Sequence, residues 1–126
     1  MNYMRNPVIH DTIVTITNAK ADLAKITSTN SAVIAERDLL IGICDYKLFQ
    51  MDGYDKTYQG LQVTQYDPRR AKTIFTEAKS SLQKATNRIN GLSVTQQYEA
   101  FVQADIDRIE AAIARVNSEL AQLPTS

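Results

Sequence analysis

Tryptophan is missing from this 126-residue chain, and cysteine and histidine occur once each. A single cysteine excludes an internal disulfide, so stability has to come from a packed core. Cys44 sits in the apolar run LLIGIC, where a free thiol is expected to act as a small buried hydrophobe. His10 has no cysteine or carboxylate at ligand spacing, so no metal site is expected. The two fall on different predicted helices, which argues against a Cys–His nucleophilic pair. Glycine is scarce as well: Gly42, Gly53, Gly60 and Gly91 stand alone, and no glycine-rich phosphate loop exists. Charge of one sign is not in excess, with 14 basic and 14 acidic residues. That balance argues against a polybasic membrane-surface protein and a strongly basic nucleic-acid binder, and it permits copies to approach one another. The longest apolar run, residues 39–44, is far too short to span a membrane. The opening MNYMRNP carries no signal-peptide core, so the expected location is inside the cell. Asp105 and Asp107, two apart, point to different helix faces and form no acid–base pair. Neither catalysis nor a cofactor is expected.

What the chain does have is helical periodicity, enough for a single domain. Residues 1–6 read as a loose arm. Asn6-Pro7 then reads as an N-cap followed by proline at the first helical position. Val8, Ile9, Ile13, Ile16, Leu23 and Ile26 recur on one broad face and predict a first helix over 7–27. Its β-branched stretch, Thr12 to Thr17, lowers its intrinsic helicity. The polar run TSTNS offers caps for a second helix over 31–51. Ile34, Ile41, Cys44, Leu48 and Met51 form its seam, widened by Leu40 and Ile43. Asp52-Gly53 reads as its stop, with glycine free to take the left-handed conformation.

A non-helical insert is predicted next. Residues 54–58 and 61–66 read as two short strands around Gln59-Gly60, a β-hairpin over 54–66. Asp67-Pro68 opens a third helix over 68–90, with a strict heptad of Ala71, Phe75, Ala78, Leu82, Ala85 and Ile89. Asn90-Gly91 ends it, and Ser93 is expected to cap a fourth helix over 94–123. There Val102, Ile106, Ile109, Ile113, Val116, Leu120 and Leu123 alternate steps of four and three. The fold class is therefore mainly α: a four-helix bundle containing a heptad αα-hairpin, with a short β-hairpin inserted between the second and third helices.

The third helix is basic, with Arg69, Arg70, Lys72, Lys79, Lys84 and Arg88 against Glu77, and the fourth is acidic overall. Complementary faces of this kind suit pairing across the hairpin or between copies. Tyrosine is enriched at protein interfaces. The expected contact residues are therefore Tyr54, Tyr58, Leu61, Val63 and Tyr66 of the insert, with Arg69, Arg70 and Lys72 behind them. Without dense Lys/Arg clustering or stacking aromatics, nucleic acid would be met at most as DNA passing through a channel.

The pattern YQGLQVTQYD between helices resembles the W-type head–tail joining proteins of tailed bacteriophages. Tyr58 stands at the strand position, Gly60 at the turn glycine, Val63-Thr64 in the second strand and Asp67 at the helix-opening acid. Leu61 and Pro68 depart from the family pattern, which has Arg and Leu there, and the resemblance covers about residues 31–89. It implies a structural virion protein: a neck connector that forms a ring between portal and tail, in roughly twelve copies if it follows portal symmetry. Its partners would be itself and the portal and tail proteins, and its location the virion neck after assembly in host cytoplasm. The alternative is a non-enzymatic helical interaction module, such as a chaperone, regulator or secretion accessory, in the cytoplasm.

Overall fold

The computed structural model describes residues 6–124. Four helices follow one another: α1 (Pro7–Ala24), α2 (Ser31–Val63), α3 (Pro68–Asn90) and α4 (Gln96–Gln122). The chain is a helical bundle, as its periodicity requires. The arm expected over residues 1–6 lies outside the described residues except for Asn6. That side chain caps α1 by accepting from the Val8 and Ile9 amides, at 3.0 and 3.2 Å. Asn30 caps α2 in the same way, accepting from Ala32 and Val33. Asp67 caps α3 ahead of Pro68, accepting from the Arg70 amide at 3.1 Å. For α4 the N-cap is Thr95, without a side-chain bond, rather than Ser93.

The β-hairpin does not form. No strand occurs among the described residues, and α2 runs unbroken for 33 residues through the predicted stop and the predicted turn. At 1.5 Å per residue it is about 50 Å long. The cause lies in its glycines. Gly42, Gly53 and Gly60 fall on one face of α2, and that face lies on α3. A Cβ at Gly53 would stand 2.5 Å from Leu82 Cγ, and one at Gly60 would stand 2.6 Å from the Phe75 ring. A Cβ at Gly42 would run into Leu92. None of them adopts a positive φ. They are absences of side chain, not turn makers, and they let two helices approach closely. The facing Ala71, Ala78 and Ala85 of α3 are fully buried, which completes the close approach. Thr57 and Thr64 donate their hydroxyls to the Gly53 and Gly60 carbonyls, at 2.7 and 2.8 Å.

The chain turns only after Val63, whose carbonyl accepts from the Tyr66 and Asp67 amides. The α3 heptad is buried throughout, as its spacing predicts. On α4 the same holds for Val102, Ile109 and Val116, while Ile106, Ile113, Leu120 and Leu123 are half-buried around them.

The core face of α2 is Leu39, Ile43, Tyr46, Gln50 and Gly53, not the predicted seam. Ile34, Ile41, Cys44, Leu48 and Met51 are only half-buried. By helical spacing Ile41 and Leu48 flank Asp45, which pairs with Lys20 of α1 at 2.6 Å. They therefore face α1, which packs on α2 and on neither α3 nor α4. None of α1's residues joins the main hydrophobic cluster, and only Ile16 of that helix is buried. Asp45 also accepts from Arg88 of α3 at 3.3 Å, so one carboxylate ties three helices.

Candidate functional site: the open face of α2

Once residues 52–63 are helical, a new line appears on α2. Leu40, Cys44, Lys47, Met51, Tyr54, Tyr58 and Leu61 follow one another in steps of four and three. They form one stripe along the helix, half a turn round from the glycines that meet α3. Six of them are half-buried and Leu61 is 38% exposed. Leu40 and Tyr54 also touch the main cluster from its margin, but no described helix lies over the stripe itself, and this spacing with partial exposure is that of a seam able to take a further helix.

The strip has a helix on each side. On one flank lies α1: its Lys20 is close enough to act on Cys44, and Arg37 of α2 donates to the carbonyl of Ile26, just past the end of α1, at 2.9 Å. On the other flank lies α4. Its Asp105 is almost fully buried and accepts from the Tyr46 hydroxyl at 2.5 Å and from Lys47 at 3.0 Å. Arg108 holds the other carboxylate oxygen at 3.1 Å. Burial pushes the Asp105 carboxyl up, but these donors outweigh it and hold its pKa below the ordinary value. Burial, and then the bond to Asp105, push the Tyr46 phenol strongly up, so it stays a donor. Lys47 also lies over the Phe101 ring, 5.0 Å from its centre. The cation in the middle of the apolar strip is thus neutralised from below and covered from the side. The Cys44 thiol is pushed up by partial burial and then by Asp45, so it is poorly activated as a nucleophile.

The expected contact residues divide into three groups. Tyr54, Tyr58 and Leu61 lie on the strip, although on a helix and not on a hairpin. Tyr54 accepts from Gln50 at 2.8 Å. Val63 is 1% exposed, packed in the core, and is no contact residue. Tyr66, Arg69 and Lys72 line a separate hollow with Leu120, Leu123 and Pro124, at the far end of the bundle. Arg70 is exposed and does not line that hollow. Sequence reasoning missed Leu40, Cys44, Lys47 and Met51 as surface residues. Their spacing with Tyr54, Tyr58 and Leu61 was the available signal, and the supposed stop at Gly53 cut it in two. Among the described residues no group of three or more His, Cys, Asp or Glu side chains could hold a metal, and no helix is long and apolar enough to cross a membrane. Comparison with protein-family models, curated proteins and solved structures gives no match to this chain.

Proposed function

We propose that this chain is a non-catalytic assembly protein, a helical module that works by laying the open face of α2 against another protein chain. The heptad-spaced, half-buried strip from Leu40 to Leu61 carries the reading. Such a strip gives helix-on-helix docking its apolar anchors, and Tyr and Met are residue types favoured there. The test places charge in the strip without touching the core. Met51→Glu and Leu61→Glu are expected to keep wild-type helicity and melting temperature by circular dichroism, yet fail to replace the wild-type gene in its source organism. Variants that fold normally and replace it fully would overturn the reading.

A second reading, the ring-forming neck connector, draws on one observation. Arg69, Lys72, Lys79 and Lys84 of α3 make no ion pair among the described residues, and neither do Glu99 and Glu110 of α4. These charges are available to neighbours in a head-to-tail ring. Residues 54–66, which carried the resemblance as a hairpin, are almost entirely helix, so the ring contacts would run through helix faces. Light scattering of the chain with and without a portal protein decides it: a closed ring supports the connector, and a chain that never exceeds a dimer removes it.

A further inference from the structure

The two edges of the open face each offer exposed charges of opposite sign, although both helices carry charges of both signs. On the α1 edge, Asp11 is exposed and makes no ion pair among the described residues, and Asp22 has only a 3.6 Å contact to Lys25. On the α4 edge, Arg108 and Arg115 are 63% and 60% exposed. Arg115 has only a 3.4 Å contact to Glu119, one turn further along α4. The register is fixed by the Lys20–Asp45 pair. Because α1 and α2 are antiparallel, nine residues along each from that pair bring Asp11 level with Tyr54. Arg115 lines a shallow hollow with Tyr54 and Thr57. Asp11 and Arg115 therefore stand at one level of α2, on opposite sides of the strip.

A face with an apolar centre, an exposed carboxylate on one edge and an exposed guanidinium on the other complements itself. Rotation by half a turn about an axis running along the strip lays α4 of a second copy on α1 of the first, and α1 of the second on α4 of the first. Asp11 then meets Arg115 of the second copy at both edges, and strip meets strip. Small side chains on the two edge helices, Thr15 and Ala19 on α1 and Ala104 and Ala111 on α4, leave room for close approach. The net charge of zero sets no long-range repulsion against it.

We infer that this face is an isologous homodimer interface: the α1–α2–α4 layers of two copies pack face to face about a two-fold axis along α2, with reciprocal Asp11–Arg115 pairs. The inference rests on the strip being the docking surface, and it names the occupant as a second copy.

A charge-swap experiment tests it on the full chain. The wild type is expected to sediment at twice 14.1 kDa at micromolar concentration. Asp11→Lys gives a copy with a cation at both of the paired positions, and Arg115→Glu a copy with a carboxylate at both. Each variant alone replaces two attractions by two repulsions and is expected to dimerise about tenfold more weakly or worse. Mixed in equal amounts, they are expected to recover a dimer that contains one of each, resolved by native mass spectrometry. Both positions are exposed, so circular dichroism should show no change of fold. A monomeric wild type, a larger assembly, variants that remain dimers, or a mixture that stays monomeric would each overturn the inference. If the wild type is monomeric while Met51→Glu still abolishes function in the cell, the occupant is a different protein and the docking surface stands.

Discussion

At Gly53 and Gly60, local preference and packing pull in opposite directions. Glycine in a helix interior costs about 1 kcal/mol against alanine, so propensity alone makes Gly→Ala stabilising. The Leu82 and Phe75 atoms that a new methyl would meet are fully buried and cannot swing away. Gly53→Ala and Gly60→Ala are therefore expected to destabilise the fold by about 1–3 kcal/mol in urea unfolding. Gly91→Ala is the control: its nearest contact would be 3.6 Å away, so no loss is expected. Asp105 is the second decisive residue. Asp105→Asn leaves the partly buried Lys47 without its counter-charge and is expected to cost about 3 kcal/mol. The sign with pH follows from the depressed carboxyl pKa. Stability from this carboxylate is present above the ordinary aspartate value of about 4 and is lost as the pH falls through the lower folded-state value. Wild type should accordingly lose melting temperature below about pH 4 more steeply than Asp105→Asn, measured in parallel scans.

Among the elements, α1 stands apart. It packs on α2 alone, and the main cluster is built without it. A chain starting at residue 30 is therefore expected to fold into a three-helix unit of α2, α3 and α4, cooperative on heating but less stable than the full chain. Loss of cooperative unfolding in that truncation would show that α1 belongs to the core. What could be read beforehand follows the same division. The α3 and α4 heptads are written in Ala, Ile, Val, Leu and one Phe, and they were legible down to single residues. The caps at Asn6 and Asp67 were legible because their chemistry is local, whereas the run TSTNS offered several candidates of which Asn30 is the one used. The second half of α2 was not. Gly53, Tyr54, Tyr58, Gly60 and Val63 are poor helix formers taken alone, and what makes them helical is α3, which lies elsewhere in the chain. For the same reason the core face of α2, carrying Gln50 and glycines, did not look like a core. The site suffered with it: Tyr54, Tyr58 and Leu61 were chosen for their aromatic or apolar character, Leu40, Cys44 and Met51 were assigned to the interior, and Lys47 was given no role.

For the molecule as a whole, the reciprocal charges predict how association responds to salt. A dimer held by an apolar strip and edged by exposed ion pairs should weaken modestly as salt is raised, by several-fold and not by orders of magnitude. Sedimentation across a salt series reads this directly. A dimer that dissociates completely at moderate salt would mean that charge, not the strip, holds it. The glycine contact between α2 and α3 has a mechanical consequence too. The twelve residues from Asp52 to Val63, with two glycines among them, are expected to keep their helix only while α3 lies along them, so the molecule's length would belong to the pair and not to α2. A pull that peels α3 away would not leave a bare rod behind. It would let about 18 Å of rod go slack, and with it the stretch of the open face that carries Tyr54, Tyr58 and Leu61. If the open face is the docking surface proposed above, load across this bundle and grip on a partner are thereby expected to fail together.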